Sequence, residues 1–333
     1  MKLRKAQLRK KKLRKMKLGD EGNMEKLSSE NSIKRERKVM YALMSLVIIL
    51  WGIGFPVVKF TLETLDPLSI LFYRYLIVFW ILLIYKKIKI GGGLIKKEDL
   101  PLYIVCAIVG DLIYFYSEYT AMDYLPVSLL SIIITLTPML SVVTERVLYK
   151  KKTSLKAIVG IIICVVGVAL IIGVDFEILL QGRLFGYILA FVCVFTFNVW
   201  NFMTASLHEK YDTITLMLNQ MLCAIILLLP HAIYNLPEAA EVTSALIWQM
   251  VFLAVINSGF SFFVTVRALH VLGPTTTTLF ANFLPVTTTI FGWLLLNETI
   301  SPLQIIGGII VILAGYIVIK EKGKSERIVF NKK

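Results

Sequence analysis

The sequence predicts an all-α integral membrane protein whose ten transmembrane helices form two inverted five-helix repeats. Three observations predict it. Of the 333 residues, 57% are hydrophobic and 17% charged, with a mean hydropathy of +0.75, a balance foreign to water-soluble globular chains. A helix needs about 20 apolar residues to cross a bilayer, and ten such stretches can be read, at roughly 40–60, 67–85, 100–119, 126–148, 154–172, 184–207, 214–232, 244–269, 274–296 and 302–319. Residues 121–172 also lie without a gap over 268–319 at a shift of 147, with ten identities in fifty-two positions. The anchors coincide: Ala121 on Ala268, Leu125 on Leu272, Pro138 on Pro285, Ser154 on Ser301 and Gly160 on Gly307. Five spans per half is an odd number, so the second copy enters the membrane from the opposite face.

The net charge of +14 raises nucleic acid as a partner until its placement is followed. With the N terminus inside, the tail 1–39 holds fifteen Lys and Arg, and 33 of the 36 fall on the inner side. That is the positive-inside pattern of a multi-pass protein of the cell (plasma) membrane with both termini cytoplasmic. The charge therefore reports topology, and nucleic acid is not a partner. The tail 1–39 reads as a disordered extension that sets orientation. Its alternative is a helix on anionic lipid, at about 1 kcal/mol per basic residue. A second basic tail spans 320–333.

In span one, Trp51 precedes Gly52, Gly54 and Pro56. Glycine permits close helix approach and proline removes a backbone hydrogen bond, so this span is expected to bend. Lys59 is expected to snorkel to the headgroups. Span two carries Arg74, which inside a bilayer needs a cavity or a carboxylate. Span three carries Asp111, Tyr114, Phe115 and Glu118 on one helical face, with Asp111 near the depth of Arg74. An Arg74–Asp111 ion pair is expected, either as a static strut or with one carboxylate taking a proton or a substrate amine. For Glu118, nearer the outer mouth, plain hydration is the alternative to such a role.

Span four bends at Pro138, and span five offers Gly160 and Gly167 for packing. After the extracytoplasmic connection 173–183, spans six to nine bring Asn198, Asn219, Asn257 and Asn282 to one level. Four amides there suit the lining of a polar cavity, and hydrogen bonding between helices is the competing role. Pro285 and Gly307 repeat Pro138 and Gly160. The cysteines Cys106, Cys164, Cys193 and Cys223 lie in apolar spans and read as packed side chains. His208, His231 and His270 lack partners at ligand spacing, so no metal is expected. Phosphate-loop, nucleophile-elbow and zincin motifs are all missing, so neither a cofactor nor enzymatic activity is expected.

Gly273-Pro274, Pro285, Asn297-Glu298, Gln304 and Gly307-Gly308 resemble the closing signature of the EamA domain of the drug/metabolite transporter superfamily. Trp51-Gly52, Arg74 and the first copy around Pro138 and Gly160 fit the same pattern. The resemblance divides the chain into EamA-like repeats over 40–172 and 184–319. It implies a central cavity and transport, often export, of amino acids or related small metabolites or drugs by alternating access. The substrate and coupling candidates are Trp51, Arg74, Asp111, Tyr114, Glu118, Asn198, Asn257 and Asn282. An uncoupled facilitator for small organic solutes is the alternative, and the oligomeric state is left open. One position departs from the pattern: Lys151 stands where Glu298 does in the second copy.

Overall fold

The computed structural model describes residues 34–91, 93, 95–150, 154–172, 183–238, 241–299 and 301–330. Most of the tail 1–39 and the connection 173–182 lie outside the described residues, as does Lys151. Two units are distinguished, 1–43 and the body from Met44 onward. Of the first, residues 34–43 are helical.

Among the described residues, eight helices are long and apolar enough to cross a bilayer. They are α1 (Lys34–Thr61), α2 (Pro67–Lys89), α3 (Lys97–Tyr124), α4 (Val127–Leu148), α6 (Leu184–Leu207), α7 (Thr213–Tyr234), α8 (Ser244–Leu272) and α9 (Pro274–Leu296). Two further helices, α5 (Leu155–Ile172) and α10 (Pro302–Phe330), take the places of the expected fifth and tenth spans. The apolar stretch of α10 is Ile305–Ile317, and its helix continues past the expected start of the C-terminal tail.

Local chemistry sets the ends. Asp66 accepts from the amides of Leu68 and Ser69 to start α2, and Asp212 accepts from Ile214 and Thr215 to start α7. Each satisfies amides that the first helical turn leaves without partners. The helices of α4 and α9 end on Lys150 and Asn297, both left-handed (φ 50° and 54°) and related by the repeat shift.

Four spans are irregular, and the irregularities come in repeat-related pairs. In α3 the residues Ala107–Ile113, and in α8 the residues Phe252–Ser261, widen to i→i+5 turns. In α4 the helix stops at Ile134 and resumes at Thr137. In α9 it tightens over Leu279–Phe283 and resumes at Leu284. Pro138 and Pro285 sit in the first turn of the resumed helices, where a missing N–H costs little. The hydroxyl of Thr135 donates to the Ile132 carbonyl and that of Thr278 to the Thr275 carbonyl, side-chain bonds back into the preceding turn of the kind that accompany bent helices. By contrast, α1 runs helical through Pro56.

Packing follows the repeat. Helix α2 packs on α8 as α7 packs on α3, α2 and α7 pack on each other, α4 faces α9, and α5 faces α10. The last pair meets at small residues: a Cβ on Gly167 would lie 2.9 Å from Val311 and 3.1 Å from the Gly307 carbonyl. Gly160 and Gly307 are buried.

Candidate functional site

A cavity of about 580 Å³, its open mouth included, lies among α1, α2, α3, α4, α6, α8 and α9. Its wall is aromatic: Trp51 and Phe55 from α1, Tyr114, Phe115 and Tyr119 from α3, Phe197 from α6 and Phe262 from α8. Trp51 meets Phe197 and Phe262 edge to face at 6.4 and 6.2 Å, and Tyr114 lies 5.3 Å from Phe197. Edge-to-face contacts of this kind favour fixed ring positions.

Into this wall are set one cation, one carboxylate and one amide. Arg74 is 2% exposed, donates from Nε to Ser258 Oγ at 2.9 Å, and holds its guanidinium 5.2 Å from the Phe115 ring centre and 5.9 Å from that of Tyr119. The rings supply a negative face that partly replaces lost water. Glu118 is 5% exposed and accepts from the Tyr114 hydroxyl at 2.5 Å. It is therefore buried in the cavity wall, where Tyr114, one turn back on its own helix, supplies its hydrogen bond. Asn257 completes the polar set. Its Oδ1 has no partner among the described residues, and a Cβ at Gly54 would fall 1.9 Å from its Nδ2.

The expected Arg74–Asp111 ion pair is not formed. Arg74 bonds to Ser258, and Asp111 accepts from the Tyr75 hydroxyl at 2.6 Å. Successive residues project about 100° apart around a helix, so Arg74 addresses α8 while Tyr75 addresses α3. Ser258 is the repeat counterpart of Asp111, a relation readable from the 147-residue shift. The four amides do not line one cavity either. Asn198 accepts from Ser141 and donates to Thr144, tying α6 to α4. Asn282 is buried where a Cβ on Gly315 would come within 2.0 Å of its Nδ2, joining α9 to α10, and only Asn257 borders the aromatic cavity. Phe197 and Phe262 escaped sequence reading because an aromatic residue facing a cavity looks like one facing lipid.

Polar contacts hold the helix ends. On the expected outer side, His231 lies 2.8 Å from Asp66, and Glu298 accepts from the Val127 and Ser128 amides and the Ser128 hydroxyl. On the expected inner side, Lys86 donates to Thr215 at 2.6 Å, while Asp99 accepts from Lys210 at 2.6 Å and Tyr211 at 2.8 Å. Asp99 lifts Lys210 above the usual lysine range, through its hydrogen bond first and its charge second. Burial pushes the Asp66 carboxyl up, but the Ser69 hydroxyl and amide, with His231, outweigh it and hold it below the ordinary range. Lys59 donates to the Met122 carbonyl near the end of α3. His208 and His270 stack at 4.4 Å. No group of three metal-ligating side chains occurs among the described residues.

The model of the EamA-like transporter family matches residues 38–173 and again 184–320. The chain belongs to the EamA-like transporter family. Through it the chain belongs to the drug/metabolite transporter superfamily. Among its relatives is an uncharacterized transporter of Archaeoglobus fulgidus, 25% identical over 285 residues that cover 85% of this chain and 99% of the relative. Another is the uncharacterized transporter YoaV of Bacillus subtilis, 26% identical over 279 residues, 82% of this chain and 94% of the relative. A solved crystal structure, described only as that of a protein, is 14% identical and superposes with a TM-score of 0.62 over 84% of this chain and 98% of that one, which establishes a shared fold. This EamA-like protein is thus a multi-pass membrane transporter with a cation, a carboxylate and an amide set in an aromatic wall.

Proposed function

We propose that this EamA-like protein carries small zwitterionic solutes with an apolar or aromatic side chain, amino acids above all, by alternating access across the plasma membrane. The observation that carries the reading is that Arg74 and Glu118 border one aromatic-walled cavity. A guanidinium offers a planar donor fork to a carboxylate, a glutamate accepts from an ammonium, and the rings receive the apolar part. Membrane desolvation favours bringing opposite solute charges to fixed opposite charges at once, because an isolated charge there is costly. Asn257, with an acceptor free, orients a donor of the solute. The inner-side excess of Lys and Arg supports cytoplasmic termini, and the inverted repeat supports exchange between two arrangements of one fold. Export is the physiological direction in this reading.

The test is uptake of a labelled amino-acid panel into proteoliposomes. Wild type is expected to prefer aromatic and large apolar amino acids over their decarboxylated amines and deaminated acids. Arg74→Gln should weaken the amino acid at least tenfold, from the loss of one charged hydrogen bond worth about 1.5–3 kcal/mol. Equal transport of the amine and the amino acid would refute the assignment of Arg74 to the solute carboxylate. Equilibration without accumulation under any imposed gradient would assign the protein to facilitated diffusion.

A further inference from the structure

A second, smaller cavity, about 230 Å³ with its open space included, shares Phe262 with the solute cavity. Its chemistry is different. Asp111, Tyr75, Trp200 and Gln220 supply the polar groups, and Met217 and Phe262 much of the rest. Asp111 is 2% exposed. Its Oδ1 takes the Tyr75 hydroxyl, whereas Oδ2 has no partner, and neither does the indole Nε1 of Trp200. The titratable groups facing Asp111 are Tyr75 from α2, Cys223 from α7 and Cys106 one turn back on α3. From α6 comes Trp200 and from α8 Phe262, neither of which titrates. Among the described residues no basic side chain is ion-paired to Asp111.

An ionised carboxylate in that setting keeps one oxygen desolvated and the whole charge uncompensated, which membrane interiors penalise heavily. Something positive must reach Oδ2 during function. A hard metal cation needs six or more oxygen ligands. The lining offers at most the two carboxylate oxygens of Asp111, the Tyr75 hydroxyl and the Gln220 carbonyl oxygen, and Trp200 brings only a donor. A proton needs only the one free oxygen.

Resting on the transporter reading above, we propose that Asp111 is the proton site of the transport cycle, in a compartment separate from the solute site. The proton enters from one aqueous side, bonds to Oδ2 to give the neutral acid, and leaves to the other side, restoring the carboxylate. Coupling runs through α2. Tyr75, bonded to Asp111, directly follows Arg74, bonded to Ser258. Both partners lie in the repeat-related i→i+5 segments of α3 and α8, a helix form that inserts one residue per turn and recurs at functional sites. Gain or loss of charge on Asp111 changes what Tyr75 can bond to, and so biases where α2 holds Arg74 in the solute cavity.

The test is infrared titration of the purified full-length protein in lipid, with protons as the only probe. A carbonyl band of a buried carboxylic acid is expected to disappear as pH rises in wild type and in Glu118→Gln. It should be missing at every pH in Asp111→Asn, which keeps the shape of the neutral acid, and should persist, displaced, in Asp111→Glu. A band unchanged in Asp111→Asn, or lost in Glu118→Gln alone, overturns the assignment. In proteoliposomes an imposed proton gradient should drive accumulation of labelled phenylalanine by wild type and not by Asp111→Asn. If wild type moves no amino acid at all while the Asp111 band titrates, the solute reading fails and the proton site stands.

Discussion

Gly54 and Asn257 compete for one space. A methyl group at Gly54 would lie 1.9 Å from Asn257 Nδ2, so Gly54→Ala must displace the amide that borders the solute cavity. Overpacking of this kind costs about 1–3 kcal/mol. The expected outcome is a lower melting temperature together with altered solute preference. Because the clash is with one side chain, Gly54→Ala combined with Asn257→Ala should melt above Gly54→Ala alone, and a double mutant no more stable than the single would place the cost elsewhere. This coupling shows how far residue roles could be read beforehand. Trp51, Arg74, Tyr114, Glu118 and Asn257 were legible as cavity residues because polar or aromatic groups at membrane depth are unusual. Their partners were not: Arg74 goes to Ser258 and Asp111 to Tyr75, since depth along a helix is countable and the direction of a side chain is not.

At the level of the helices, Asp66 and Asp212 play the same part in the two halves. Each caps the first turn of a helix and lies near the basic end of the other: His231 at the end of α7 bonds Asp66, and Lys86 near the end of α2 bonds Thr215, itself held by Asp212. Replacing either cap with alanine is expected to cost about 1 kcal/mol, seen as a lower melting temperature. Both carboxyls lie below the ordinary aspartate range because hydrogen bonds to their helix turns outweigh burial. A depressed folded value contributes stability that is present above the unfolded value, about 3.9, and is lost as pH falls through the folded one. Melting temperature should therefore drop as pH falls below about 4, and less steeply in Asp66→Asn/Asp212→Asn. The caps were open to sequence reading, since an aspartate before a Pro or Thr at the head of an apolar run is a start signal. The i→i+5 turns were not, because one extra residue in a turn leaves hydropathy unchanged.

Across the whole molecule, the exchange of neighbours between the halves, α2 on α8 against α7 on α3, is the structural counterpart of the repeat seen in the sequence. The symmetry is imperfect where the repeats differ in charge. Glu298 ties the end of α9 to the start of α4 through three hydrogen bonds, whereas its counterpart is Lys151. The α4–α9 pair is thus fastened on the Glu298 side by a carboxylate whose repeat-related position carries a lysine. Glu298→Ala should lower the melting temperature by removing a helix cap worth about 1–2 kcal/mol. The sharper test fixes the contact instead of deleting it. A Cβ at Gly292 would lie 3.1 Å from Ser128 Oγ, with the mobile carboxylate end of Glu298 at 2.8 Å, so cysteines at 128 and 292 are close enough to bridge. If access alternates, these ends must part once per cycle. Oxidised Ser128→Cys/Gly292→Cys should then lose flux in proteoliposomes and regain it on reduction, while each single cysteine variant stays indifferent to oxidant. Undiminished flux through the bridged protein would mean that these ends never separate, and the solute would have to pass through a fixed pore.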